Sequence, residues 1–93
     1  MKIRYTSPAL NQLADILNFI VDENPEGARK VSKAIEQAVA LAAFMPKLGR
    51  PVPSKPDVFF RFARPFPYRV TYRTRGHELE ILSVVHTARE FEN

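Results

Sequence analysis

A chain of 93 residues with 45% apolar side chains has material for one core, and folding a chain this short buries roughly two-thirds of its unfolded surface. It has no cysteine, which excludes disulfides and thiolate metal sites and suits a reducing cytoplasm; no apolar run approaches the roughly 20 residues that span a bilayer. The formal charge of +4 belongs to the second half: residues 1–46 carry five Lys/Arg and five acids, whereas 47–75 carry eight basic residues and one acid, Asp57, a field that predicts an anionic partner, nucleic acid or an acidic protein segment.

Met1-Lys2-Ile3-Arg4-Tyr5 enters a strand pattern directly, with no signal-peptide apolar region, so a cytoplasmic location is expected. Over 2–6, Ile3 and Tyr5 point one way and Lys2, Arg4 and Thr6 the other, as in a half-buried strand. Ser7-Pro8 predicts a helix start with Ser7 as its cap. Leu10, Leu13, Ala14, Leu17, Ile20 and Val21 then recur every three or four residues, widened by Ile16 and Phe19, so 8–22 is predicted to be an amphipathic helix. Asn24-Pro25 repeats the start signal. The second helix, 25–45, carries Ala28, Val31, Ala34, Ile35, Ala38, Leu41, Ala42 and Met45 on one face and stops at Pro46. So short a link predicts an antiparallel hairpin, with Arg29, Lys30 and Lys33 on its solvated side.

Leu48-Gly49-Arg50-Pro51-Val52-Pro53 predicts a structured connection. Gly49 permits a turn needing positive φ, the prolines stiffen the chain beyond it, and Arg50 is expected to anchor helix-end carbonyls. With no repeat, flexible linker or low-complexity tract, residues 1–93 are expected to form a single domain.

Three β-rich runs come next: Phe59–Pro65, Tyr68–Arg73 and Leu79–His86, separated by Pro65/Pro67 and by Arg75-Gly76. On the middle run Tyr68, Val70 and Tyr72 share a face and Arg69, Thr71 and Arg73 share the other. On the last run Leu79, Ile81, Ser83 and Val85 are expected to meet the helices, with Leu82 and Val84 opposite. A strand apolar on both sides is central and covered on both faces; its second cover is the tail, another protein, or the arms of the arginines. The order β-α-α-β-β-β predicts an α+β fold, a helical hairpin on one face of a mainly antiparallel sheet.

Several passages together carry a resemblance: the helix from Ala9-Leu10 to Ile20, the Asn24-Pro25 link, Phe44-Met45-Pro46-Lys47-Leu48-Gly49-Arg50-Pro51, Tyr68-Arg69-Val70-Thr71-Tyr72-Arg73, and Glu80 through Arg89 with its His86-x-x-Arg89 ending. Over nearly its whole length the chain resembles the RelE/ParE superfamily of type II toxin–antitoxin toxins, most closely the ParE branch. The resemblance implies a RelE/ParE-like fold and a toxin neutralised by a ParD-like antitoxin, whose N-terminal half binds operator DNA and whose acidic, initially disordered C-terminal half wraps the toxin. It implies DNA gyrase as the target, with operator DNA reached only through the antitoxin, and neither membrane, cofactor nor metal. The alternative it leaves open is a RelE-like ribosome-dependent mRNA endoribonuclease.

Cutting RNA at a 2′-hydroxyl needs a base, an acid and cations for the phosphorane charge. Arg61, Arg69, Arg73 and His86 are the candidates, with His86 beside Arg69 as the acid–base group. The pattern departs from RelE-like catalysis in having Thr87 and Phe91 where a phenol is expected, and no lysine over 58–90. For antitoxin or another partner the candidates are Arg61, Arg64, Arg69, Arg73, His86 and Arg89. Each has a plainer reading: arginines as charges that keep a sheet soluble, Arg69 as a packing residue beside Tyr72, and His86 as a satisfied strand end. Tyr68 and Tyr72 read as core-facing aromatics rather than base-stacking platforms. A third reading is a nontoxic RNA- or protein-binding module. His77, alone in a turn, offers no metal site.

Overall fold

The computed structural model describes residues 1–88; Arg89 and Phe91 lie outside the described residues. The element order is β1 (Lys2–Tyr5), α1 (Ser7–Val21), α2 (Pro25–Phe44), a single 3₁₀ turn (Pro46–Leu48), β2 (Arg50–Pro51), β3 (Val58–Phe62), β4 (Tyr68–Arg75) and β5 (Glu78–His86). One five-stranded sheet runs β1-β5-β4-β3-β2. All neighbours are antiparallel except β1, which lies parallel to β5. The α+β architecture read from the sequence is therefore present, with one addition: the proline-rich connection contributes the short edge strand β2, paired through Arg50 to Phe60 and Pro51 to Phe59. No helix among the described residues is long and apolar enough to cross a membrane.

The first helix begins one residue earlier than its Ser-Pro signal indicates. Thr6, not Ser7, is the cap: its Oγ1 accepts from the Ala9 amide at 3.4 Å. The same hydroxyl donates to the Ile81 carbonyl at 2.9 Å, and the Thr6 amide donates to that carbonyl at 3.0 Å. Gln12 then accepts from the Val84 amide at 2.8 Å. Pairing of β1 with β5 stops at Tyr5 opposite Ile81, so Thr6 and Gln12 take over the backbone groups that β1 no longer reaches, as buried or half-buried backbone requires.

The apolar stripe of α1 is rotated from the one its spacing suggests. Ala9 and Ile16 are buried and Leu13, Leu17 and Ile20 pack beside them, while Leu10, Ala14 and Val21 face outward with Phe19. On α2, Val39 joins the core, and Leu41 and Met45 are exposed.

The pairing of β4 with β5 shifts between Thr71 and Tyr72. Val70 pairs with Val84 but Tyr72 pairs with Ile81, so Leu82 is the extra residue of a bulge. A one-residue insertion exchanges the faces of everything beyond it. The core face of β5 is therefore Leu79, Ile81 and Val84, all essentially inaccessible to water. Ser83 and Val85, expected on that face, pair instead with Thr71 and Arg69 on the outer side.

Candidate functional site

Cross-strand partners share a face of the sheet, and this places Arg61, Arg69, Arg73 and His86. Phe62 pairs with Arg69, Phe60 with Thr71 and Val58 with Arg73, which defines the outer face. Arg61 pairs with Val70, whose side chain is fully buried on the helix side. Arg61 therefore lies on the opposite face from Arg69 and Arg73. His86 pairs with Tyr68, two residues from the Val70–Val84 pair, and so also belongs to the helix side. The expected juxtaposition of His86 and Arg69 is not formed: Arg69 pairs with Val85.

The local chemistry of each group fits its side. His86 sits edge-on to Tyr68 with ring centroids 5.2 Å apart, and its Nδ1 accepts from the Ala88 amide at 3.1 Å. Arg73 donates from Nε to Glu80 at 2.7 Å. Glu80, only 1% exposed, also takes an ion pair from Arg4, so a buried carboxylate is held between arginines of β1 and β4. In the sequence Glu80 is one acid of the five in residues 47–93. Alternation along β5 points to its outward side, but only pairing with both neighbours shows that two arginines enclose it.

The arms of the arginines cover the outer aromatics. Arg69 lies over the Phe60 ring at 5.2 Å and Arg64 over the Phe62 ring at 5.1 Å, a favourable contact between cation and ring quadrupole. Phe60 and Phe62 meet edge to face, 5.8 Å apart.

Behind the sheet, Tyr72 is inaccessible and stacks on Phe59, and its hydroxyl donates to the Pro46 carbonyl at 2.6 Å. Burial raises its pKa above the ordinary phenol value, an effect the adjacent Arg61 guanidinium opposes. Tyr72 thus bonds a carbonyl of the turn just past α2, while Arg50, expected to anchor helix-end carbonyls, stands exposed in β2. Gly49 adopts φ −69° and ψ 168°, extended backbone rather than the positive-φ turn its type suggests. Its lack of a side chain serves proximity: a Cβ there would fall 2.2 Å from the Tyr72 hydroxyl. Positive φ occurs at Gly76, +61°, between β4 and β5.

Two clefts flank this region. One lies at the β3 edge among Leu48, Arg50, Phe60, Arg61, Phe62 and Arg64. The other lies between α2 and the β3–β4 connection, among Lys30, Lys33, Gln37, Arg64 and Phe66. Lys30 and Lys33, expected on a plain solvated face, line the second cleft beside Arg64. Among the described residues no group of three or more His, Cys, Asp or Glu is placed to hold a metal.

A further feature has no mark in the sequence. Large apolar side chains stand in solvent along the hairpin and just past it: Leu10, Phe19, Leu41, Phe44, Met45 and Leu48, with Phe19 and Phe44 more than 70% exposed. Leu10, Phe19, Leu41 and Met45 belong by spacing to the buried stripes, and the rotation of those stripes is what uncovers them.

Comparison with known proteins agrees with this architecture. A solved structure from the chromosomal ParDE toxin–antitoxin system of P. aeruginosa superposes with a TM-score of 0.78 at 26% identity, covering 92% of this chain and 95% of that one. The Sinorhizobium fredii protein Y4kP is 33% identical over 90 residues, 97% of this chain and 92% of its own length. The family model for the ParE toxin of the parDE type II toxin–antitoxin system matches residues 3–91. The chain belongs to the ParE family of type II toxins, within the RelE/ParE superfamily.

Proposed function

We propose that this ParE-family toxin acts by binding rather than by cutting RNA, that its target is DNA gyrase, and that a ParD-like antitoxin neutralises it. The observation that carries the first step is the division of the candidate nuclease groups. Arg69 and Arg73 lie on the outer face, Arg61 and His86 on the helix side, and one scissile phosphate is not reached by groups on both sides of a sheet. Arg73 is engaged by Glu80, and His86 Nδ1 by the Ala88 amide. General acid–base catalysis needs its groups within hydrogen-bond reach of one substrate, and this arrangement does not supply that.

The antitoxin reading is supported by exposed apolar side chains, Leu10, Leu41, Phe44 and Leu48 among them, beside a second half rich in cations. Large exposed apolar groups next to charge mark a surface that a partner covers. The ParDE system of P. aeruginosa supplies the analogy for that partner.

Inducible expression of the chain alone in a bacterial host tests the target. Growth arrest with filamentation and an SOS response is the expected outcome, along with inhibited supercoiling by purified gyrase. Translation arrest with mRNA cleaved on ribosomes would replace this reading with the RelE-like one.

A further inference from the structure

We infer that the sheet face turned away from the helices docks the phosphate backbone of duplex DNA of any sequence, with Lys2, Arg64, Arg69 and Arg75 as its principal phosphate-binding cations. Both helices cover the other side, against Val70, Tyr72, Leu79, Ile81 and Val84. Pairing places the charge on the outer face. Arg50 of β2 lies beside Phe60 and Arg69 of β4 beside Phe62, and Arg64 reaches over the Phe62 ring. Toward the opposite edge, Arg4 and Arg73 flank Glu80, and Lys2 and Arg75 flank Glu78. Two carboxylates thus stand among these cations, and Glu80 is already enclosed by Arg4 and Arg73. The layer behind has the opposite balance: over 7–44 the hairpin sets Asp15, Asp22, Glu23, Glu26 and Glu36 against Arg29, Lys30 and Lys33. A molecule charged in this way is steered to a polyanion with its sheet foremost.

Three features suit a duplex backbone. First, the cations run from the β1 edge to the β2 edge, a width of about 19 Å at the usual spacing of strands. A duplex carries roughly one charge per 1.7 Å of its axis, so so broad an array meets several phosphates at once, whereas a single extended acidic chain meets one row. Second, Thr71 and Ser83 pair in the middle of the face, between the two groups of cations. Hydroxyls donate to phosphate oxygens and carry no sequence preference. Third, Phe60 and Phe62 lie beneath Arg69 and Arg64, which withholds from single strands the ring faces on which their bases stack.

His86 lies on the helix side, paired with Tyr68, so the docked backbone meets no acid–base group there and is bound without being cut. The choice of duplex DNA over RNA rests on the gyrase reading, because that target works on duplex DNA; the affinity for phosphate stands on the surface itself.

The test is fluorescence anisotropy with the full chain and three labelled probes: a DNA duplex of arbitrary sequence, an RNA duplex of the same length, and a polyglutamate peptide of matched charge. The DNA duplex is expected to bind at about 50 mM salt and to lose about a hundredfold in affinity by about 200 mM, as four phosphate contacts imply. Lys2 and Arg75 are exposed. The double variant Lys2→Gln with Arg75→Gln should bind about tenfold more weakly at the lower salt and lose only about tenfold between the two salts. Lys30→Gln with Lys33→Gln, the same charge change at exposed sites on α2, should stay within about twofold of the unaltered chain. Circular dichroism establishes that each variant is folded. The inference is overturned if the DNA duplex fails to bind at the lower salt, if polyglutamate or the RNA duplex binds more tightly than DNA, or if the α2 variant weakens binding as much as the sheet variant. DNA binding is measured without gyrase, whereas growth arrest with an SOS response reports on the target, so the two ideas fail by different results.

Discussion

Gly49 and Tyr72 stand so close that each explains the other. The tyrosine hydroxyl needs the Pro46 carbonyl, and it reaches that carbonyl only by passing where a side chain at 49 would stand. Gly49→Ala is expected to destabilise by about 1–3 kcal/mol, the usual cost of forcing extra volume into a packed site, and to lower Tm accordingly in thermal denaturation. Removing the hydroxyl with Tyr72→Phe should recover part of that loss, since the nearest atoms to the added Cβ are then at 3.0 and 3.1 Å. A double-mutant cycle reads the coupling; strictly additive effects would show that the clash is not the reason for glycine. The sequence announces a glycine between helix and sheet. It does not announce why, because the reason is a residue on another strand, and local turn logic points to positive φ instead.

At the scale of elements, three strands are tied by one carboxylate. Arg4 of β1 and Arg73 of β4 both meet Glu80 of β5. Either arginine alone leaves the buried acid a cation, and their own side chains are 48% and 36% exposed, so solvent screens each single contact. Arg4→Ala and Arg73→Ala are each expected to cost under about 1 kcal/mol. The double variant should exceed their sum by roughly 1–2 kcal/mol, because only then is the carboxylate left without a cation. Urea unfolding of the four proteins checks this. The helices, the hairpin and the three main strands are legible from proline, cap and periodicity signals, because these act over a few neighbouring residues. The bulge at Leu82 is not. Leu82, Val84 and Val85 are all apolar, so alternation on either side of the strand fits the composition equally well, and Thr6 and Gln12, which satisfy the bulged backbone, are far away in the chain. The cap shifts from Ser7 to Thr6 for the same reason: Thr6 is preferred because its hydroxyl also reaches β5.

Across the whole molecule, one buried and one half-buried phenol make stability depend on alkaline pH. Tyr5 and Tyr72 both have raised pKa values, chiefly through desolvation, reinforced at Tyr5 by Glu36. The unfolded chain loses these protons near pH 10, while the folded chain retains them to higher pH. Over that window the native state binds more protons, so unfolding free energy falls as pH rises. Denaturant midpoints should therefore decline above about pH 10, and less steeply in Tyr72→Phe; an unchanged slope would mean that Tyr72 titrates alike in both states. Charge is legible at this scale as an excess of cations after residue 46, but its division between two faces is not, since that depends on pairing register. The parallel union of the first strand with the last has a consequence for biosynthesis. A ribosome delivers β1 and both helices before β5, so a nascent chain has its helical hairpin before its sheet can close. Translation halted ahead of Glu78 would release a polypeptide whose opening strand has no neighbour to join.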